Sequence, residues 1–217
     1  TQHKIRQYLI GQQRGSFQSR NDTKRYNKHT QTTMSIRNRI RKTKHLRNRH
    51  LICVLENPND IKNVATVIRN LSAFGVEKLY IISDKKGVPY NLESSRKNKY
   101  LTRLSVGANK WIFIKRFTTT DECALHLKKN LYTNAITSPH QKDANNINLY
   151  EGTFTQKRLA VWFGNESHGI SKKAIKHADM CIQVPMRGVV ESLNLATSTG
   201  IILSFISYQR LKFIFTH

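Results

Sequence analysis

Polar side chains follow an apolar run near the C-terminus, in a pattern that could hold a ligand. The run closes at Val184, and Pro185 cannot donate to a sheet ladder. After a glycine-containing turn, Ser192 and Asn194 open an apolar segment that reaches about Tyr208. The pattern predicts a strand, a turn, and a helix whose first turn carries both polar side chains. The unpaired N–H groups and positive dipole at such a helix start can hold a polar ligand at the end of a sheet.

A loop of similar design precedes this stretch. The apolar run Leu159–Phe163 is typical of a buried strand, and residues 164–171 (GNESHGIS) follow it. The glycines permit tight backbone geometry. Ser171 is placed to cap a helix over Lys172–Lys176, and Glu166 is the one carboxylate in the loop.

A third group of polar residues lies on a helix in the first half of the chain. Four apolar residues at helical spacing predict this helix: Ile61, Val64, Ile68 and Leu71. Asn59 or Asp60 can cap its start, and Gly75 follows its end. Asn63 and Arg69 are its candidate functional residues, although by themselves they are equally compatible with ordinary surface positions.

Apolar runs of strand length alternate with helical patterns along the chain, which predicts an α/β domain with a mostly parallel sheet and helices on both faces. The predicted strands are residues 51–55, 78–82, 111–114, 131–137, 159–163 and 181–184. A helix is expected from Thr120 to about Lys129. Residues 83–99 are expected to form a loop and a ragged helix, and residues 143–151 a polar loop.

The charge of the chain restricts its partners. Its 217 residues carry 37 Lys and Arg against 13 Asp and Glu, a net charge of +24. Such an excess repels itself, so a polyanionic partner is expected. Nucleic acid is the leading candidate, ahead of an anionic membrane surface, and a merely solvated basic surface is the plain alternative.

The positive charge is concentrated at the N-terminus. Residues 1–50 hold 14 Lys and Arg but one acid, Asp22, a net +13 of the +24. We interpret residues 1–33 as a flexible or poorly ordered basic arm and residues 35–50 as a possible basic helix. Residues 1–50 are therefore predicted to be an extension that binds the backbone of RNA or DNA, with a solvated tail as the alternative, and residues 51–217 to form the main domain.

Several classes of site are disfavoured by what the sequence lacks. It has no G-x-G-x-x-G fingerprint, no P-loop and no H-E-x-x-H pattern. The three cysteines are widely spaced and resemble small buried hydrophobes, so we expect no zinc site and a reducing compartment. No apolar run approaches the ~18 residues of a transmembrane helix. His140 and His168 lie in candidate site loops, where lone histidines are more often incidental.

Three blocks together resemble one family, the SpoU/TrmH-like RNA 2′-O-ribose methyltransferases of the SPOUT superfamily. Residues 63–69 (NVATVIR) with 73–76 (AFGV) are similar to the first motif of the family, residues 163–171 (FGNESHGIS) to the second, and residues 184–194 to the third. The resemblance covers about residues 51–210. Lys62, Ala65 and Asn70 differ from the residues that are common at these positions in the family. These differences make the subfamily harder to assign.

The resemblance implies a fold, a cofactor and an assembly. The family fold is an α/β domain with a deep C-terminal trefoil knot, a rare exception to the usual topology rules. The family binds S-adenosyl-L-methionine within the knot and works as a homodimer. By position, the cofactor pocket would include Thr137, Gly164, Val184, Met186 and Leu193, largely through backbone groups. The catalytic set would be Asn63, Arg69, Glu166, Ser192 and Asn194.

The implied reaction is methylation of a ribose 2′-hydroxyl in structured RNA. Arg69 would activate the hydroxyl or, because arginine stays charged, stabilise the forming alkoxide and grip a phosphate. Asn63 and Glu166 would orient Arg69 and the ribose, while Ser192 and Asn194 would fix the loop or the nucleotide.

The resemblance favours one substrate class, and two alternatives remain beside it. The tRNA guanosine-18-type branch is the best match, with rRNA methylation as the alternative. A non-catalytic RNA-binding protein that keeps the fold is the rival from another class, although all the catalytic positions are filled. We expect an RNA partner, no metal, no membrane, and a cytoplasmic location, or an organelle if the source is eukaryotic.

Overall fold

The computed structural model describes residues 36–83, 92–140 and 146–216. Residues 43–216 form one compact α/β unit. Helix α1 (Ile36–Thr43) begins in a separate N-terminal unit and carries three arginines and one lysine among its eight residues. The basic arm predicted for residues 1–33 lies outside the described residues.

A seven-stranded sheet in the order β3-β2-β1-β6-β4-β7-β5 forms the centre of the unit, and every strand pairs in parallel with its neighbours. The strands are β1 Asn48–Glu56, β2 Val76–Ile82, β3 Phe113–Phe117, β4 Thr133–Thr137, β5 Asn146–Asn148, β6 Leu159–Phe163 and β7 Met180–Gln183. The predicted parallel α/β sheet is therefore confirmed. Because all strands run the same way, the loops after β1, β4, β6 and β7 meet at one edge, which we call the carboxyl edge.

Helices cover both faces of the sheet, as predicted. They are α2 Ile61–Ala73, α3 Leu92–Lys97, α4 Lys99–Leu104, α5 Thr120–Lys129, α6 Lys172–Lys176 and α7 Leu195–Thr216. Alternate residues of β1 serve opposite cores: Cys53 packs with α2, α4 and α7, whereas Val54 packs with α5 and α6. Burial on both faces explains why the central strands are continuous apolar runs. Within the described ranges, no helix combines the length and apolarity needed to cross a bilayer.

Two of the sequence-based helix predictions were wrong at their boundaries. The helix expected over residues 35–50 ends at Thr43, and β1 begins at Asn48, whose N–H donates to the carbonyl of Gly75 at 2.8 Å. The C-terminal helix begins at Leu195, after Ser192 and Asn194, and runs on to Thr216. Tertiary pairing decides the first boundary, and a cap by Asn194, described below, decides the second.

One strand was missed. Residues 143–151 were expected to be loop, but β5 pairs with Cys181–Gln183 at the edge of the sheet. Its three residues are Asn146, Ile147 and Asn148, all partly buried. A short edge strand of this kind carries no apolar run and too few residues for a visible alternation.

A buried carboxylate fastens two helix starts to the end of β1. Glu56 is 2% exposed and accepts from the hydroxyl of Thr120 at 2.6 Å. It also accepts from the N–H of Ser171 at 2.9 Å and its hydroxyl at 2.7 Å. Since Thr120 opens α5 and Ser171 caps α6, one side chain positions both helices at the carboxyl edge.

Replacing Glu56 with alanine should therefore lower the free energy of unfolding by about 3 kcal/mol, because three charge-assisted hydrogen bonds are lost, one of them to the buried hydroxyl of Thr120. Urea unfolding followed by circular dichroism measures this change. Glu191→Ala, at an exposed position, serves as the control and should change stability by less than about 0.5 kcal/mol. Equal stability of the two variants would contradict the assigned role of Glu56.

Candidate active site at the carboxyl edge

The loop after β6 folds back on itself in a tight turn. Asn165 and Gly169 exchange backbone hydrogen bonds at 3.0 and 2.9 Å, and Gly169 has a φ of +65°. A Cβ on Gly164 would lie 2.2 Å from the carbonyl carbon of Gly169, so only glycine fits there. The side-chain oxygen of Asn165 accepts from the N–H groups of Ser167 and His168 at 2.8 and 3.1 Å. The sequence GNESHG thus builds a rigid loop that projects Glu166.

Glu166 connects this loop to the start of α2. Its carboxylate accepts from the N–H of Asn59 at 2.9 Å and from the side-chain amide of Asn63 at 3.0 Å. A longer contact, 3.4 Å, comes from the N–H of Asp60. Asp60 in turn caps α2 by accepting from the N–H of Lys62 at 2.7 Å. The carboxylate therefore lies at the positive end of a helix, where negative charge is stabilised.

These contacts keep Glu166 ionised. Partial burial acts to raise the pKa of its carboxyl, but the hydrogen bonds from Asn63 and from the Asn59 and Asp60 backbone outweigh it, so the pKa lies below its ordinary value. At neutral pH the group is a carboxylate whose lone pairs are engaged by donors. Such a group orients its neighbours and is a poor proton acceptor.

Asn194 continues the chain of contacts to the third motif. Its side-chain oxygen accepts from the N–H groups of Ala196 and Thr197 at 2.8 and 3.3 Å, which caps α7. Its amide donates to the side-chain oxygen of Asn63 at 3.2 Å. Glu166, Asn63 and Asn194 thus form one continuous hydrogen-bonded row, which we call the carboxamide row.

Helices α2 and α7 are packed along a seam next to this row. The side-chain amide of Asn70 donates to the carbonyl of Ala196 at 2.9 Å and contacts the hydroxyl of Thr199 at 3.3 Å. Gly200 lies against it, since a Cβ at this position would be 3.3 Å from the Asn70 amide nitrogen. The seam fixes Asn63 on α2 relative to the start of α7.

A cavity of about 300 Å³ opens beside Glu166. Its lining comes from the ends of β4, β6 and β7 and from the start of α7. All five residues predicted for the cofactor pocket are in this lining: Thr137, Gly164, Val184, Met186 and Leu193. Of the predicted catalytic set, Glu166 and Ser192 also line it. The structure therefore brings these predicted residues together from three loops that are far apart in the chain.

The other three predicted catalytic residues lie outside the lining. Asn63 and Asn194 belong to the carboxamide row, in contact with Glu166 directly and through Asn63, respectively. Arg69 is exposed on α2, six residues beyond Asn63 and roughly 9 Å along the helix axis. It shares an exposed stripe with Lys62 and Thr66 at helical spacing. The structure thus brings four of the five residues together and places Arg69 apart from them.

The cavity differs in charge from the rest of the protein. Among the described residues that line it, Glu166 is the one carboxylate, and no lysine or arginine is present. Val184, Met186 and Leu193 give it apolar walls, while hydroxyls such as those of Ser138 and Ser192 supply polar contacts. A ligand with an apolar ring, hydroxyl groups and a positive charge suits this lining.

A second cavity lies on the other side of the loop after β6. It has a volume of about 650 Å³ and is lined by polar residues at the ends of β1 and β3, including Asn57 and Thr118. Asn165, His168 and Gly169 line both cavities. In the described part of the chain, no cluster of His, Cys, Asp or Glu could hold a metal ion.

Two asparagines were missed as site residues. Asn59 donates its N–H to Glu166 and its side-chain amide to Asn165 at 3.4 Å. Asn165 organises the loop from within. The available signal was the polar turn 57–60, directly after a buried parallel strand, since such strand ends meet at one edge.

Comparison with known proteins agrees with this geometry. Residues 50–204 match the model of the SpoU rRNA Methylase family. The chain is 31% identical over 180 residues to a tRNA (guanosine(18)-2′-O)-methyltransferase of Thermus thermophilus, covering 83% of this chain and 86% of the relative.

Solved structures share the fold. The TrmH/SpoU tRNA modifying enzyme of Aquifex aeolicus is 26% identical with a TM-score of 0.66, covering 81% of this chain and 84% of that one. The SpoU methyltransferase AviRb of Streptomyces viridochromogenes, solved in complex with AdoMet, has a TM-score of 0.64 over 76% of this chain and 62% of that one. At 21% identity, the latter likeness shows the fold alone.

The family model covers most of the chain and includes the carboxamide row and the loops that line the first cavity. The resemblance predicted from the three sequence motifs is confirmed, and the chain belongs to the SpoU rRNA Methylase family.

Proposed function

We propose that the protein transfers a methyl group from S-adenosyl-L-methionine to a ribose 2′-hydroxyl in tRNA, at a guanosine-18-type position. The observation that carries the proposal is the carboxamide row. It joins Asn63, Glu166 and Asn194 from three separate motifs beside one cavity. The name of the Thermus thermophilus relative supports the choice of tRNA and of guanosine.

The residues of the first cavity fit the methyl donor. The absence of a side chain at Gly164 lets the loop close tightly on Gly169, and both glycines line the cavity. Apolar residues such as Met186 and Leu193 suit the adenine ring, and the hydroxyls of Ser138 and Ser192 suit the ribose. Among the described residues, the lining has a carboxylate and no lysine or arginine, which favours a cationic sulfonium. When bound, this cofactor supplies an activated methyl group.

The residues of the row would align the ribose. Glu166 fixes the amide of Asn63, and Asn63 in turn holds Asn194 at the start of α7, beside the cavity that Glu166 lines. Because Glu166 accepts three hydrogen bonds and its pKa is lowered, it positions other groups and is a poor acceptor for the hydroxyl proton. Holding the hydroxyl in line with an activated methyl supplies much of the rate.

Arg69 would stabilise the charge that develops on the 2′-oxygen. Its guanidinium does not lose its proton. It therefore acts by binding the forming alkoxide and the neighbouring phosphate, while the hydroxyl proton leaves to solvent. Its exposure on α2 is compatible with contact to an incoming RNA and not with a role in donor binding.

The net charge of +13 on residues 1–50 supports an additional RNA contact by this extension. The salt dependence of tRNA affinity, with and without residues 1–34, checks this assignment. All three cysteines are buried and none forms a disulfide, which suits a reducing compartment such as the cytoplasm.

We further propose that the protein is a homodimer that uses the exposed sides of α2 and α7. Tyr208 and Ile214 are 62% and 60% exposed on α7, the helix that packs against α2. Burying this face would bring Arg69 close to a second copy of the chain. Light scattering should give twice the chain mass, and Tyr208→Glu should reduce it. A monomeric wild-type protein would reject the proposed dimer and would leave the proposed cofactor site in the first cavity unaffected.

The proposed reaction predicts that labelled methyl from the cofactor appears on the 2′-oxygen of guanosine 18 in a tRNA transcript. Mass mapping after nuclease digestion locates the label. A transcript with 2′-deoxyguanosine at that position is the matched control and should remain unlabelled. Label confined to rRNA would reassign the substrate, and absence of label on any RNA would reject the function.

In the same assay, Arg69→Ala should lower turnover by about 100-fold or more, because a stabilising charge at the transition state is lost. Donor affinity, measured by calorimetry, should be unchanged. Lys62→Ala on the same exposed stripe is the control. Near-normal turnover by the Arg69 variant would remove this residue from the chemistry.

Gly164→Ala should abolish donor binding, since the new methyl group would overlap the Gly169 backbone and force the loop open. Gly188→Ala is the matched control, because a Cβ there meets nothing within 4 Å. Calorimetric titration with S-adenosyl-L-methionine separates the two variants, with circular dichroism confirming that both are folded. Equal affinity would show that the donor binds elsewhere.

A further inference from the structure

A group of cations lies at the amino edge of the sheet, opposite the candidate active site. Leu51 pairs with Leu159 in parallel register, so His50 and Arg158 precede them side by side. Lys78 pairs with Ile52 on the other side of β1. Lys157 adjoins Arg158 in the chain. We call His50, Lys78, Lys157 and Arg158 the amino-edge cluster.

The pairing of β1 with β2 is irregular in this part of the strand. Asn48 pairs with Val76 and Ile52 with Lys78, so β1 advances four residues while β2 advances two. The extra residues form a bulge, which bends the strand and redirects its side chains. Arg49 and His50 within it are exposed.

Backbone contacts hold the cluster in place without neutralising it. Arg158 donates to the carbonyl of Asn130 at 2.6 Å, at the C-terminal end of α5. Arg210, 8% exposed on α7, donates to the carbonyls of Gln156 and Lys157. Because carbonyl oxygens are neutral acceptors, these contacts leave the positive charge of both guanidinium groups uncompensated. Arg158 and Arg210 thus have structural roles, whereas the side chains of Lys78 and Lys157 form no hydrogen bond or ion pair within the described residues.

The local electrostatics are uniformly positive. Partial burial lowers the pKa of His50, and four cations lower it further: Lys78, Arg158, Arg210 and Lys157. The nearby Glu77 is engaged by Arg47 at 2.5 Å. No member of the cluster forms an ion pair with a carboxylate in the described part of the chain. Cations held together in this way repel each other, and an anionic partner relieves the repulsion.

We propose that the amino-edge cluster is a second RNA-binding surface, which contacts the phosphate backbone of the same RNA whose ribose reaches the cavity; this inference rests on the proposed function. The nine residues of β1 separate the two edges by roughly 25 Å. A folded RNA of tRNA size spans that distance, and a short fragment around the target does not. The surface would therefore select for large, structured substrates.

The charge-reversal pair Lys78→Glu with Lys157→Glu tests the proposal in the full-length protein. Affinity for a tRNA transcript should fall about tenfold or more in moderate salt. The slope of log affinity against log salt should become shallower by roughly 1.5, as expected for two lost phosphate contacts. Binding of an RNA fragment shorter than about 20 Å, and of S-adenosyl-L-methionine, should be unchanged.

The pair Lys97→Glu with Lys99→Glu is the control, because it makes the same change in net charge at exposed positions on α3 and α4. An equal loss of tRNA affinity in the control would overturn the proposal in favour of a general charge effect. An equal loss for the short fragment, or no loss for tRNA, would also overturn it. So would unchanged tRNA affinity combined with lost binding to phosphatidylserine vesicles.

The outcomes separate this inference from the proposed function. If the wild-type protein methylates tRNA and the Lys78/Lys157 variant binds tRNA equally well, the second surface alone is rejected. Wild-type protein that neither binds nor methylates RNA rejects both.

Discussion

The hydrogen bonds between the Glu166 carboxylate and the start of α2 are the constraint on which the site depends. They join a loop after β6 to a helix that follows β1, more than 100 residues earlier in the chain. β1 and β6 are adjacent in the sheet, so the two loops leave the same edge side by side. Because the acceptor is ionised and two of its three donors are backbone groups, the contact tolerates little change in either loop.

A second carboxylate, Glu56, stabilises the elements next to the loop that carries Glu166. Glu56 holds the starts of α5 and α6 against the end of β1, and α6 follows directly from the loop that carries Glu166. One acid is buried and structural, and the other is exposed and faces the cavity. Acidic residues are few in this positively charged chain. Both Glu56 and Glu166 fix backbone geometry at the carboxyl edge.

How much of this was predictable depended on the physical origin of each feature. Val54 and Trp162 lie in apolar runs that reveal buried strands directly, and the caps Asp60 and Ser171 followed from local helix-start chemistry. Ser192 was misplaced within a helix because an apolar segment does not show where its first turn begins. The contact between Asn63 and Asn194 spans 131 residues, and no local pattern encodes such a pairing.

The position of Arg69 was the part of the candidate site that motifs could not supply. A motif fixes the order of residues, whereas exposure depends on which side of α2 faces the sheet. The helical phase set by Val64, Ile68 and Leu71, all buried, turns Arg69 outward. The same phase turns Asn63 and Asn70 toward α7, where each finds a partner.

The loop of residues 164–171 forms a partition between two chambers, with Asn165, His168 and Gly169 facing into both. A ligand that displaces this loop from one cavity also changes the lining that a ligand in the other cavity would contact. Thermodynamic reciprocity then requires that each ligand change the affinity for the other by the same factor, whether binding becomes stronger or weaker. The stiffness of this one turn thus limits how strongly occupancy of one cavity can affect the other.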